Sequence, residues 1–233
     1  MMKKTPLFSG SRQITFKSDG FTLTGTLHLP DAPNPPIVIG CHGLLSNSDS
    51  PKQIALAKHC NTVGLAFFRF DHRGCGASEG DLRKNTSFQG RCRDLEFALN
   101  KIQSLGVVNN RIGLFGSSLG GSVCLQAAGC RKIHAIVTFS APFRSRLIKI
   151  EPFHKNITFD LANKLDMIKN IHIFHGDADD TVPLSHARFI YQGVSEPKKL
   201  TIQKNGDHRM SDSSHQDAFL LDAVHWFSKY LLQ

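Results

Sequence analysis

One serine in this chain lies where a strand-to-helix turn would expose its hydroxyl group. Ser118 is the centre of a G-x-S-x-G segment that runs from Gly116 to Gly120. The apolar run 111–115 precedes this segment, and a helix-like stretch, Leu119–Cys130, follows it. Glycine is favoured at such a turn because a Cβ there would collide with neighbouring backbone. The pattern predicts a nucleophile elbow with Ser118 as the candidate nucleophile.

A serine nucleophile needs a histidine to accept its proton and a carboxylate to orient that histidine. In a fold built around a nucleophile elbow, the acid follows a later strand and the histidine follows the last strand. The apolar run 171–175 leads into a loop with three carboxylates, those of Asp177, Asp179 and Asp180. The last predicted strand leads into a turn that ends in His208. Acid and base therefore occur in the expected order, which by itself leaves the choice among the three carboxylates open.

Four separated segments resemble motifs of the α/β-hydrolase superfamily. They are similar to its serine esterase and S33 aminopeptidase-like branch, which includes cinnamoyl and feruloyl esterases. The segments are an H-G oxyanion loop at 40–44, an R-G-x-G-x-S loop within 69–78, the elbow at 116–120 and an H-G-x-x-D-x-x-V-P acid loop at 175–183. Four such segments in the family's order, over nearly the full length, are far more specific than any one of them.

The resemblance implies roles for the acid and the base. It selects Asp179 as the carboxylate of a Ser-His-Asp triad, with Asp180 as the reserve candidate. It selects His208 as the general base. His215, farther along the chain, is expected at the start of the final helix.

The elbow and the oxyanion loop imply two backbone donors for the tetrahedral intermediate. The residue after the nucleophile supplies one N–H group, here that of Leu119. The oxyanion loop supplies the other, that of Leu44. His42 is expected to order this loop and not to exchange protons.

The implied activity is hydrolysis of a carboxylic ester of small to medium size through an acyl-enzyme. Thioesterase, lactonase or aminopeptidase activity on the same triad remains an alternative, as does a non-catalytic ligand-binding protein with a hydrolase fold. The segment 141–170 is longer than one short helix needs, which predicts a small cap. Side chains of this cap could contact substrate or could equally pack or face solvent; they are Phe143, Phe153, Ile157, Phe159, Arg144, Arg146 and Lys149.

The hydrophobic pattern predicts an α/β fold in a single domain, residues 1–233. Two alternating segments around Ser18-Asp19-Gly20 predict an N-terminal antiparallel hairpin. After Pro35-Pro36, short buried-strand runs recur with helical segments between most of them, which predicts a mostly parallel twisted sheet with helices on both faces. The runs are Ile37–Cys41, Leu65–Phe70, Arg111–Phe115, Ile133–Phe139, Ile171–His175 and Leu200–Gln203.

Composition bounds the partners. The chain of 233 residues carries a net charge of +9, but the charges are dispersed, so we expect no nucleic-acid partner and a small-molecule ester substrate instead. No apolar run approaches the length of a membrane span, and the start of the chain lacks a secretory core, so we expect no membrane insertion and a cytoplasmic location. No ligand spacing indicates a metal or cofactor. The oligomeric state stays open.

Overall fold

The computed structural model describes residues 10–147 and 156–233, in which eight strands form one sheet. The strands are β1 (Gly10–Ser18), β2 (Phe21–Leu29), β3 (Ile37–Cys41), β4 (Ala66–Phe70), β5 (Ile112–Ser117), β6 (Ala135–Phe139), β7 (Ile171–Gly176) and β8 (Lys198–Gln203). Their order across the sheet is β1-β2-β4-β3-β5-β6-β7-β8. The β1–β2 and β2–β4 pairs are antiparallel, and all other neighbours are parallel. The predicted sheet is therefore confirmed.

Helices cover both faces of this sheet. They are α1 (Pro51–Thr62), α2 (Leu82–Asn85), α3 (Phe88–Ser104), α4 (Leu119–Ala128), α5 (Ser185–Gly193) and α6 (Ser213–Leu231). Buried side chains of α3, α4 and α5 form one apolar cluster with one face of the sheet, and those of α1 and α6 form a second cluster with the other. This arrangement explains the continuous apolar runs of the central strands, which are buried on both faces.

Strand β3 illustrates how the two clusters divide the residues of one strand. Ile37 and Ile39 belong to the cluster with α3 and α4, whereas Val38 between them belongs to the cluster with α1 and α6. Successive side chains of a strand point to opposite faces, so an unbroken apolar run serves both cores.

The N-terminal hairpin has a two-residue turn. Ser18 pairs with Phe21, and the residues between them, Asp19 and Gly20, have φ angles of 46° and 90°. Asp-Gly is favoured in this type of turn because both positions need positive φ and the resulting twist suits the flanking strands. The predicted hairpin is confirmed.

Capping residues set the starts of the two long helices. Helix α3 begins at Phe88, because Ser87 accepts a hydrogen bond from the Gly90 amide (3.0 Å). In α6, Asp212 accepts from the amides of Ser214 and His215, so His215 lies in the first turn as expected. Caps are local side-chain contacts that hydrophobic periodicity does not register.

The predicted cap segment is described at both of its ends. Arg144 pairs with Asp160 through a backbone bridge and a 2.9 Å ion pair, and short 3₁₀ turns cover 145–147 and 162–167. The aromatic and aliphatic side chains that the sequence nominates there pack in the core: Phe143, Ile157 and Phe159. Phe153 and Lys149 lie outside the described residues. The cap and the single-domain organisation stay predictions.

Candidate active site

The backbone at Ser118 has the sharp conformation that the elbow pattern predicts. Ser118 joins β5 to α4 with φ 52° and ψ −126°, a region that residues with a Cβ rarely occupy. A Cβ at Gly116 would overlap the carbonyl of Gly120, and a Cβ at Gly120 would overlap the carbonyl oxygen of Cys41. Both glycines are therefore required for the close approach of β3, β5 and α4.

His208 lies between Ser118 and Asp179. Its Nε2 is 3.1 Å from the Ser118 Oγ, and its Nδ1 is 2.8 Å and 3.0 Å from the two Asp179 carboxylate oxygens. Assigned from these partners, the Nδ1–H donates to Asp179, which leaves the Nε2 lone pair to accept from the serine hydroxyl. This tautomer suits removal of the hydroxyl proton.

The Asp179 carboxylate is fully buried but well supplied with donors. Its Oδ1 accepts hydrogen bonds from the amides of Thr181 (3.0 Å) and Val182 (2.8 Å). Burial raises the pKa of Asp179, but the hydrogen bonds from His208 and the Val182 amide outweigh burial and lower the pKa below its ordinary value. The carboxylate is therefore ionised at neutral pH.

The other two acids of the loop have different partners. Asp177 accepts from the Asn205 amide (2.6 Å), and Asp180 accepts from the Thr181 hydroxyl (3.1 Å). Both are exposed. Of the three carboxylates that the sequence nominates, only Asp179 is brought to His208.

His175, the residue with which the acid loop begins, lies behind the Asp179 carboxylate. Its Nε2 is 2.8 Å from the Val182 carbonyl oxygen and 3.3 Å from the Asp179 Oδ2. The ring is completely buried, and burial is the main reason why the pKa of His175 is lowered. A neutral ring with its proton on Nε2 fits both contacts.

The candidate oxyanion loop, residues 40–44, passes close to Ser118. A Cβ on Gly43 would lie 3.4 Å from the Ser118 Cβ. The next amide, that of Leu44, belongs to this loop, and the amide of Leu119 is the first of α4, where no carbonyl of the helix can accept it. Two candidate donors thus flank the space above Ser118.

His42 is held by the backbone on both sides of its ring. Its Nδ1–H donates to the Gly43 carbonyl (2.7 Å), and its Nε2 accepts from the His72 amide (3.1 Å). Burial lowers the pKa of His42 well below its ordinary value. The neutral ring orders the loop, as the sequence predicts, and has no free nitrogen for proton exchange.

Two basic side chains in the surroundings of the site are not identified by the sequence. Arg91 of α3 donates to the carbonyls of His42, Gly43 and Leu44 at 3.1–3.2 Å. Lys52 of α1 is the other. The only sequence signal for Arg91 is that it is a lone arginine among the apolar positions of α3. Nothing in the local pattern marks Lys52.

Two further features are absent from the described residues, a metal-binding cluster and a membrane-spanning helix. Within 10–147 and 156–233, no three or more His, Cys, Asp or Glu side chains are grouped so that they could hold a metal ion. In the same ranges, no helix has the length and apolar character to cross a membrane.

The fold, together with the serine, histidine and aspartate at the carboxyl ends of its parallel strands, defines the chain as an α/β-hydrolase. Residues 32–165, more than half of the chain, match the family model described as "Serine aminopeptidase, S33". The chain belongs to this hydrolase family, and the resemblance deduced from its four motifs is confirmed.

Some relatives of this chain have a described activity and others do not. The uncharacterized protein YfhR of Escherichia coli K12 is 30% identical over 152 residues, 60% of this chain and 52% of that protein. The chain thus matches about half the length of YfhR. The mitochondrial palmitoyl-protein thioesterase ABHD10 of Mus musculus is 26% identical over 216 residues, 77% of this chain and 71% of that protein.

Among solved structures, the chain is similar to Est1E from Butyrivibrio proteoclasticus with ferulic acid bound. The TM-score is 0.83 at 19% identity, with 94% of this chain and 100% of that chain covered. Mouse ABHD10 has a TM-score of 0.74 at 21% identity, with 94% and 99% covered. At these identities, the likeness establishes the fold.

Proposed function

We propose that this hydrolase is a serine carboxylesterase that acts through an acyl-enzyme intermediate. The observation that carries the proposal is the unbroken line of hydrogen bonds from Asp179 through His208 to Ser118, at 2.8 Å and 3.1 Å. Serine, histidine and an ionised carboxylate in this order form the machinery by which a neutral hydroxyl becomes a nucleophile.

The first half of the proposed reaction acylates the serine. The Ser118 Oγ attacks the ester carbonyl carbon while its proton moves to the His208 Nε2. The carbonyl oxygen becomes an oxyanion that accepts hydrogen bonds from the Leu44 and Leu119 amides. His208 then returns the proton to the leaving alkoxide oxygen, the C–O bond breaks, and the alcohol departs.

The second half repeats these steps with water. His208 removes a proton from a water molecule, the hydroxide oxygen attacks the acyl carbon, and the proton returns to the Ser118 Oγ as the acid leaves. Throughout, the Asp179 carboxylate holds the ring and stabilises its positive charge. Its lowered pKa supports this role, because a protonated carboxyl could not do so.

An ester of small to medium size is the proposed substrate class. In support, Phe143, Ile157 and Phe159 of segment 141–170 pack into the core, and Leu45, next to the oxyanion loop, is an exposed apolar side chain that could contact an acyl or alcohol group. The cytoplasmic location stays a prediction.

A thioester substrate is the second candidate. The observation that favours it is the mouse relative described as a palmitoyl-protein thioesterase, aligned over 77% of this chain. The same three side chains serve either reaction, because thiolate and alkoxide leave from the same tetrahedral intermediate.

Labelling with a fluorophosphonate probe tests the nucleophile. We expect wild type and Ser117→Ala to be labelled, and Ser118→Ala to remain unlabelled. Ser117 is the matched control because it is the adjacent serine, the last residue of β5. Equal labelling of Ser118→Ala and wild type would overturn the assignment.

Substrate preference is tested with esters and thioesters that share one acyl group. We expect wild type to hydrolyse p-nitrophenyl acetate and butyrate, and Ser118→Ala to lose both activities. A higher kcat/KM for the butyryl thioester than for the butyrate ester would favour the second candidate. Labelling or binding without turnover of any ester, thioester, lactone or aminoacyl anilide would favour the non-catalytic alternative.

A further inference from the structure

Arg91 is a completely buried guanidinium that none of the described carboxylates neutralises by an ion pair. Its Nη1 donates to the carbonyls of His42 (3.2 Å) and Gly43 (3.1 Å), and its Nη2 donates to the carbonyl of Leu44 (3.2 Å) and to the Cys75 sulfur (3.4 Å). A buried cation is costly unless it is well hydrogen-bonded. Here, three consecutive carbonyls of the oxyanion loop accept hydrogen bonds from the buried guanidinium.

A second buried arginine, Arg73, is neutralised by carboxylates, as buried arginines usually are. Arg73 forms ion pairs with Asp94 (2.7 Å) and Asp19 (2.9 Å). In contrast, the hydrogen bonds of Arg91 go to backbone carbonyls of residues 42–44 and to the Cys75 sulfur, and none goes to a carboxylate. Burial lowers the pKa of Arg91, yet a guanidinium remains protonated at neutral pH, so the positive charge persists behind the loop.

The geometry of one peptide unit connects Arg91 to the chemistry. The Gly43–Leu44 peptide bond is trans, so its C=O and N–H point in opposite directions. Arg91 at 3.1 Å and His42 at 2.7 Å both hold the Gly43 carbonyl oxygen. The Leu44 N–H is therefore directed to the other side of the loop.

A charged donor on the carbonyl also changes the strength of the N–H group. Hydrogen bonds to an ionised partner are stronger than neutral ones, and successive hydrogen bonds polarise one another. The guanidinium draws electron density towards the Gly43 oxygen, which makes the amide proton of Leu44 more positive. This change strengthens the hydrogen bond of the Leu44 amide to an oxyanion more than it strengthens a hydrogen bond to a neutral carbonyl oxygen.

We propose that Arg91 is a positioning residue that aims and polarises the Leu44 amide for the oxyanion. This inference rests on the proposed function, since it concerns the same hydrolytic site. Arg91 touches no reacting atom in this scheme and acts through the 42–44 backbone. His42 shares the Gly43 carbonyl, so loss of Arg91 weakens the donor without removing it.

The experiment compares wild type with Arg91→Lys, Arg91→Gln and Arg91→Met. It measures kcat and KM for p-nitrophenyl acetate, normalised to the folded fraction, and the inhibition constant of an aryl trifluoromethyl ketone. That ketone forms a tetrahedral adduct with serine and places an oxyanion in the hole. Arg73→Lys is the matched control: it is the same change at a buried arginine that does not contact 42–44.

In Arg91→Met we expect kcat to fall by about 10- to 100-fold, which is no more than the fall expected when one oxyanion donor is removed completely. We expect KM to change by less than about threefold. The inhibition constant should rise by a similar factor, with Arg91→Lys between Arg91→Met and wild type. Arg73→Lys should lower the unfolding midpoint without this paired effect. If Arg91→Met does not fold, Arg91→Lys and Arg91→Gln decide the question.

Wild-type kcat in the folded Arg91 variants, or a fall in kcat without weaker inhibition by the ketone, would overturn the role of Arg91. Failure of the proposed function looks different. In that case, wild type itself neither turns over the ester nor forms the ketone adduct.

Discussion

Lys52 donates a hydrogen bond to the carbonyl of Arg209 at 3.2 Å, and Arg209 is the residue that follows His208. The same ammonium group lies 4.1 Å from the ring centroid of Phe139, whose carbonyl accepts from the Ser118 amide at 2.8 Å. Helix α1 thus braces both the turn that holds the histidine and the strand end beside the serine.

Because Lys52 lies in this position, we expect the free energy of unfolding to depend on pH in the alkaline range. Burial lowers the pKa of Lys52 from 10.5 to about 8. Between these values the unfolded chain binds more protons than the folded chain, so the free energy of unfolding rises with pH there. We expect a rise of about 1 kcal/mol or more from pH 8 to pH 10, after allowance for partial screening, from urea unfolding.

Lys52→Met should lack this rise. Lys58→Met, a change at an exposed lysine on the same helix, should keep the wild-type curve. Parallel curves for wild type and Lys52→Met would contradict the assignment.

Asparagine substitutions separate the two neighbouring acids of the acid loop. In Asp179→Asn the histidine loses its ionised partner and its fixed tautomer, so we expect kcat/KM for p-nitrophenyl acetate to fall by roughly 10,000-fold. Asp180→Asn, at the adjacent exposed carboxylate, should stay within a few-fold of wild type. The reverse pattern would make Asp180 the triad acid.

The positive φ of Ser118 predicts a difference in stability between two inactive variants. Glycine tolerates φ 52° whereas alanine does not, so Ser118→Gly should be about 1 kcal/mol more stable than Ser118→Ala. Both should be inactive because both lack the hydroxyl. Chemical denaturation measures the difference; a more stable alanine variant would show that the turn is not strained.

A buried acid ties the loop below the site to the N-terminal hairpin. Asp94 accepts from the Ser18 hydroxyl (2.7 Å), the Arg73 guanidinium (2.7 Å) and the Arg73 amide (3.0 Å). Because Asp94→Asn would remove the buried one of the two carboxylates that neutralise Arg73, we expect a loss of about 3 kcal/mol at pH 7. Asp222→Asn, which breaks an exposed pair with Lys199, should cost less than about 1 kcal/mol.

The pH dependence of this loss follows from the same contacts. Burial raises the pKa of Asp94, but hydrogen bonds from His72, Arg73 and Ser18 outweigh it and hold the pKa well below its ordinary value. The stabilisation is therefore present above the ordinary aspartate pKa and is lost as pH falls towards the folded value. Wild type and Asp94→Asn should converge in stability on acidification; a constant difference down to pH 2 would contradict this.

Much of the architecture could be predicted from the chain alone because it depends on short-range patterns. Alternation and Asp19-Gly20 predicted the hairpin, and unbroken apolar runs such as Ile37–Cys41 predicted strands buried on both faces. The glycines at 116 and 120 predicted the elbow, since the steric need is local. The start of a helix such as α3 is harder to predict, because it depends on a single hydrogen bond to a capping residue, here Ser87.

The amino-acid sequence by itself determined the order of strands and helices, the sharp turn at Ser118 and the two loops that contain the candidate acid and the candidate base. Residue spacing left the choice among three carboxylates open and the family resemblance selected Asp179, but only the tertiary structure shows that Asp179 contacts His208. It also placed Arg91 behind the oxyanion loop, 49 positions from His42 in the chain. The physical reason is that periodicity encodes which face of an element is buried, whereas contacts between distant side chains depend on how those faces pack.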